Sequence, residues 1–469
     1  MAIEYRTPGV YVEEKSMLPP SVAGVATAIP AFIGYTEKQT NNPVQKVTSL
    51  IEYEALFGKG KGLTVQDGHV KGQEFALYDS MRLFFGNGGG TCYVASVGTF
   101  NGEQVTPTKT EYQAALAKVA QQSEVTILVL PDAALLLDQD ALQDVQQAAL
   151  DQCQELVGRF TILDVKMRPD MTFNTPSEQL DKELELFRSG VKNNLCFGAA
   201  YYPYLKTSYP KDIPFKEVVA ALQDIFADNT DKQQLIQDAQ TIVNLPDSDA
   251  TKKTKMNLFI ADSKDYAETL KVLKEEASVI TPSGAIAGIY AAIDTRAGCW
   301  QAPANVGVTG AKDLAIQIND NQQAGMNVDP DTSKSVNAIR FFKGKGILVW
   351  GSRTLDGGSN EWRYVPVRRL FSYVEQSVKL STGWVVFQPN DANTWVKVKC
   401  QISNFLSGLW RGGALAGATA DDAFFVEVGK DITMTQDDIN NGYLRVKIGL
   451  AAVRPAEFII LEFSHKVQE

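Results

Sequence analysis

Ser283 stands in TPSGAIAGIY, between an apolar run and a small-residue helix, where an activated serine could sit. A nucleophilic serine needs a base, usually a histidine held by a carboxylate. Only two histidines exist, His69 in the loop QDGHVKG and His465 near the end of the 469 residues. Ser283 is therefore read as a helix cap, with Gly284, Ala285, Ala287 and Gly288 allowing close packing on a sheet. The glycine runs GKGKG (58–62) and GNGGG (86–90) invite a phosphate loop, which requires G-x4-G-K-[ST] after a strand. Lys61 is followed by Gly62 and GNGGG has no lysine, so both read as surface turns. Cys92, Cys153, Cys196, Cys299 and Cys400 are odd in number and far apart, as reduced core thiols would be. No His or Cys pair has metal-ligand spacing. The pairs Glu13-Glu14, Glu275-Glu276 and Asp437-Asp438 lie in polar surroundings and read as solvated surface. No catalytic residue, cofactor or metal is expected.

Contact chemistry is better represented. Asp391 should cap a helix over 391–411, with Trp395, Val398, Ile402, Phe405 and Leu409 inward. Its other side carries Lys397, Lys399, Ser403 and Ser407, reaching Trp410 and Arg411. Tryptophan and arginine are enriched in protein contacts. Net charge is −10, which argues against nucleic acid as a partner. Residues 336–469 hold 16 basic and 13 acidic groups, a net of +3, leaving −13 for the first 335 residues. Within 336–411 the balance is +7. One part of the molecule is thus suited to an acidic surface.

The elements that position these groups follow from pattern. In TPGVYVEE, Val10 and Val12 alternate with Tyr11 and Glu13, as in a strand. Pro19-Pro20 follow as a stiff leash, with Gly24 beyond, and no turn leads to a partner strand. A lone strand is unstable in water, so this one must pair elsewhere. From TAIPAFIGYTE onward, fully apolar runs (TCYVASV, VTILVLPD, FTILDV, LCFGAAYYPY) alternate with helical patterns, the signature of a mainly parallel, two-face-covered sheet. Residues 211–255 read as a helical insertion. NLFIAD is then taken as a strand, and WQAPANVGVTGAKDL as loop. Near residue 336 the composition shifts to an α+β unit with late strands AFFVEV, GYLRVKIGL and EFIILEF. No apolar run reaches the roughly 18 residues of a membrane span. MAIEYRTPG lacks the basic head and apolar block of a signal peptide, so cytoplasmic synthesis is expected.

Taken together, TPGVYVEE, SVAGVATAIPAFIGYTE, TPSGAIAGIYAAIDTRAGCWQAPAN, NAIRFFKGKGILVWGSRTL, EWRYVPVRRLFSYVEQSV, NDANTWVKVKCQISNFLSGLWRGGALAGATADDAFFVEV and VRPAEFIILEF resemble contractile phage tail sheath proteins. Those of phage-like contractile injection systems are included. The matches cover about half the chain; residues 105–255 carry little of them. The resemblance implies an α/β plus α+β protein: an N-terminal extended arm (1–22), an outer subtilisin-like α/β domain without the triad (23–335), and an inner α+β sheath domain (336–469). It implies that Val10, Tyr11, Val12 and Glu13 at one end, and Ile459, Leu461 and Phe463 at the other, pair with neighbouring copies. Pro19, Pro20 and Gly24 would act as hinges. Lys397, Lys399, Ser403, Ser407, Trp410 and Arg411 would face an inner tube protein. Implied partners are further copies in stacked hexameric rings, the tube, and baseplate and terminator or cap proteins, within an assembled tail-like particle. No nucleic acid and no direct membrane insertion are implied. A general self-assembling surface protein is the main alternative; a hydrolase would require Ser283 and His69 to converge.

Overall fold

The first apolar run after the leash is β1 (Pro30–Thr36), and all seven of its residues are buried. It belongs to a computed structural model that describes residues 21–100, 105–168 and 175–460. Two compact units are distinguished: Ala26–Tyr373 with the stretch from Arg454, and Val374–Val453 with the stretch up to Val25.

In the larger unit, β1 is joined by β2 (Val44–Val47), β3 (Cys92–Thr99), β4 (Ile127–Val129), β5 (Phe160–Asp164), β6 (Gly198–Tyr202), β7 (Val306–Gly307), β8 (Asn337–Phe342) and β9 (Gly346–Val349). Their order is β7-β9-β8-β6-β5-β4-β1-β3-β2. The central run from β8 to β3 is parallel throughout, while β2, β9 and β7 add antiparallel edges. β4 and β5 are buried along their whole length because helices cover both faces. The helix Gln139–Glu155 buries Leu142, Val145, Ala149 and Cys153, and Pro176–Gly190 buries Leu180, Leu184 and Phe187, the stripes their spacing predicts.

The helix Ser283–Ala297 packs on β4 and β5 as expected, and its two glycines meet a further neighbour. A Cβ at Gly284 would lie 2.6 Å from the Ser80 carbonyl oxygen, and one at Gly288 would lie 2.4 Å from that of Phe84. Those glycines admit the helix Leu77–Gly86, not the sheet. The same helix carries Asp294, which receives both guanidinium arms of buried Arg369, at 2.8 and 2.5 Å. Arg369 also donates to the Thr27 carbonyl (2.9 Å) and lies 4.7 Å from the Tyr290 ring. The Tyr290 hydroxyl in turn meets that of Tyr201 on β6 at 2.8 Å.

Other expectations change as well. NLFI lies within the helix Lys252–Asp262, since a three-residue apolar run has no period of its own; Phe259 packs edge-on against Phe215 and Tyr266. The helical insertion therefore continues through Lys264–Ala277. The glycine-rich loop at 58–72 contains a hairpin, Thr64–Gln66 with His69–Lys71. Carboxylates of the insertion hold it: Glu217, Asp224 and Glu276 accept from the amides of Val65, Gly68 and Val70. WQAPANVGVTGAKDL includes β7 and a strand at Ala311–Leu314. The compositional boundary at 335/336 differs from the division at Tyr373/Val374, because β8 and β9 extend the large sheet beside β6. Charge composition records the surface and does not register sheet membership.

In the smaller unit, the helix Ala392–Arg411 is capped by Asp391, whose carboxylate accepts from the Thr394 amide at 3.0 Å. β10 (Phe424–Glu427) and β11 (Lys447–Leu450) form an antiparallel pair. No helix among the described residues is long and apolar enough to cross a membrane.

Removing one partner of a buried ion pair strands the other charge, at a cost of about 3–5 kcal/mol. Arg369→Met should therefore lose about that much in denaturant unfolding, and Arg369→Met with Asp294→Leu should recover most of it. A single-variant loss below about 1 kcal/mol contradicts this assignment.

Candidate assembly interface

Ser283 is fully buried. Its hydroxyl donates to Asp164 Oδ2 at 2.5 Å and its amide to Oδ1 at 3.0 Å. The serine therefore does not cap its own helix; Asp164, at the end of β5, covers the helix start from outside. His69 lies on the hairpin at 3.3 Å from Glu276, and His465 lies outside the described residues. A second strand-end carboxylate, Asp132 after β4, accepts from the Tyr35 amide (2.8 Å) and the Tyr112 hydroxyl (2.7 Å). Both sit where parallel α/β sheets often hold ligands, and both are closed over by protein. Sequence reading did not single them out. Their signal is an acidic residue at or just past the end of a largely apolar strand, in VLPD and TILD.

The helix Ala392–Arg411 has no acidic residue, and its open side carries Lys397, Lys399 and Arg411. Ser403 and Ser407 are half-buried on its flank. Trp410 is also half-buried, and its indole N–H donates to the Gly417 carbonyl at 3.0 Å. The inward stripe is Thr394, Val398, Gln401, Ile402, Leu406 and Leu409; Trp395 and Phe405 stand beside it. Gln401 is tolerated inside because it is satisfied at both ends. Its Oε1 accepts from the Trp384 indole (2.9 Å), and its Nε2 donates to the Ser381 carbonyl (3.0 Å).

The chain ends give two anchored exits. Ala23 and Val25 donate their amides to the Ser381 and Ser377 hydroxyls of the helix Val365–Ser381, both at 3.2 Å. Gly24 lies exposed between them. Val10, Tyr11, Val12, Glu13, Pro19 and Pro20 fall outside the described residues, as do Leu461 and Phe463. At the other end, Glu457 receives Arg353 through two bonds of 2.8 and 2.6 Å and the Tyr364 hydroxyl at 3.2 Å. The Arg353 side chain is only 4% exposed. Beyond this anchor Phe458, Ile459 and Ile460 are 73%, 79% and 84% exposed. Among the described residues, no backbone hydrogen bond ties Arg454–Ile460 to the rest of the chain, and Ile459 is in no strand.

Comparison with known proteins gives these features a family. Residues 197–355 match the phage tail sheath protein central domain, and residues 358–466 match the phage tail sheath C-terminal domain. The sheath complex of an extracellular contractile injection system, PVC, in its contracted state is 29% identical, with 99% of each chain covered and a TM-score of 0.66. A chain of the anti-feeding prophage (AFP) baseplate is 30% identical, over 99% of this chain and 100% of that one, with a TM-score of 0.64. A tail sheath protein of Vibrio phage KVP40 is 24% identical over 130 residues, 27% of this chain and 19% of that relative. These matches define a structural protein and not an enzyme. The chain belongs to the phage tail sheath family.

Burial pushes the Asp164 carboxyl up to about 8 and that of Asp132 up to about 7, against about 3.9 in an unfolded chain. The folded state keeps protons that the unfolded state releases above about pH 4, so these groups lower stability as pH rises toward 8. Asp164→Asn imitates the neutral carboxyl. Relative to wild type it should gain on the order of a few kcal/mol between pH 5 and pH 8 in urea unfolding. A difference independent of pH contradicts the assignment.

Proposed function

We propose that the chain is the sheath subunit of a contractile tail or injection device. It polymerises as helically stacked hexameric rings around an inner tube, in an extended state that shortens and drives the tube forward. The larger unit then serves as an outer α/β body of subtilisin-like topology without catalytic use. The inner sheath domain, read from the sequence as 336–469, carries the tube contact. The observation that carries the reading is the C-terminal segment: pinned at Glu457, without a backbone partner among the described residues, and apolar outward at Phe458, Ile459 and Ile460. A strand with open hydrogen-bonding groups is a template for pairing with another chain. The full-length similarity to a sheath complex in a contracted state supports it further.

In this reading Val10–Glu13 and Ile459–Phe463 complete sheets on adjacent copies, with Pro19, Pro20 and Gly24 as the flexible link that survives contraction. Lys397, Lys399, Ser403, Ser407 and Arg411 give a polar, releasable contact with the tube, and Trp410 braces the end of that helix. Baseplate and terminator proteins bound the polymer. Energy is stored at assembly and needs no nucleotide: about 500 Å² of extra apolar burial per subunit would supply roughly 12 kcal/mol, an upper value.

Deleting residues 1–18 should leave a folded monomer with unchanged thermal unfolding that forms no ribbed hollow cylinders by negative-stain microscopy. Cylinders of normal yield from the truncated chain would contradict the arm assignment.

A further inference from the structure

The loop between the helices Val365–Ser381 and Ala392–Arg411 presents Phe387 at 102% exposure. Its backbone makes the position costly. Val386 has φ −61 and ψ 126, Phe387 has φ 67, and the Gln388 amide donates to the Val385 carbonyl at 3.0 Å. That is a type II turn whose third position favours glycine. A bulky aromatic there is strained and contributes no packing to its own unit. The loop is nonetheless held firmly. Trp384 is bonded to Gln401 on one side, and Trp395 donates to Asn390 Oδ1 (2.7 Å) on the other, with Asn390 donating to the Tyr443 carbonyl (3.0 Å). Val386 and, on the adjoining helices, Leu380 and Val396 are exposed too.

The chain's own geometry indicates what covers this peg. From Val25 at Ser377 to Ala23 at Ser381, the N-terminal segment runs back toward the helix end that leads into the loop. The described chain therefore begins, at Ser21, beside it. Glu13 lies eight residues before Ser21, and an extended chain spans at most about 3.3–3.6 Å per residue, or about 30 Å here. A copy that pairs with Val10–Glu13 must stand within that distance of Ser21, which brings its surface within reach of the loop. Charge agrees: Lys379, Lys397 and Lys399 are exposed nearby in sequence, while the first 335 residues of any other copy carry −13.

We infer that Phe387 is a rigid aromatic anchor that inserts into a second copy of this chain, the one receiving the N-terminal arm. The inference rests on the sheath reading above and assigns it a central contact. The test uses full-length chain carrying Phe387→Gly, with Phe387→Asn as a second residue tolerant of positive φ. Both should melt within a few degrees of wild type, and both should cut pelletable polymer at least about tenfold. Wild-type yields of polymer from both variants would overturn the anchor. So would normal polymer that fails only to retain purified tube protein, since the occupant would then be the tube. If the wild-type chain itself forms no polymer, the sheath reading falls and the anchor with it. That result is distinguishable because it needs no variant.

Discussion

The buried bond between Arg353 and Glu457 decides what the end of the chain can do. Arg353 is itself fixed: its amide donates to Asn337 Oδ1 on β8 at 2.8 Å, and its carbonyl accepts from Asn337 Nδ2 at 2.8 Å. A guanidinium clamped to the sheet holds a carboxylate with two parallel bonds, a geometry that fixes direction as well as position. The chain arriving from β11 is thereby seized at Glu457. Phe458, Ile459 and Ile460 after it hold their side chains in solvent, and among the described residues their peptide groups have no backbone partner. Such a segment offers open hydrogen-bonding groups and apolar side chains to a second chain.

The same sheet explains why the molecule is built for assembly and not for chemistry. The strand ends that would frame a ligand are occupied by Asp132 and Asp164, each accepting two hydrogen bonds from its own unit. Tyr112 and Ser283 turn their hydroxyls inward to these carboxyls. What remains open lies at the chain ends, along the cationic side of the helix Ala392–Arg411, and on the loop before it.

Much of this was legible in the sequence. The parallel order of the sheet followed from fully apolar strands separated by helices with buried stripes, and the Asp391 cap from its position before a periodic run. The family resemblance rested on seven stretches, 7–14, 21–37, 281–305, 337–355, 361–378, 390–428 and 453–463, and the last five overlap the matched sheath domains. Short elements were not legible. NLFI became helix because neighbours, not local period, decide three apolar residues. The hairpin at 64–71 is held by carboxylates more than 140 residues away in sequence. Gln401 was not assigned to the inward stripe, and two tertiary hydrogen bonds hold it there. Phe387 went unnoticed because an aromatic beside Val386 reads as core, and only a turn's backbone angles reveal that it points to solvent.

Hydrogen exchange compared between monomer and polymer tests the central claim most directly. Amides of Ala456–Ile460 should exchange within seconds in the monomer and be protected at least about a hundredfold in the polymer, as strand pairing with another copy requires. Equal protection in the two states would mean that this segment needs no second chain, and would contradict the account.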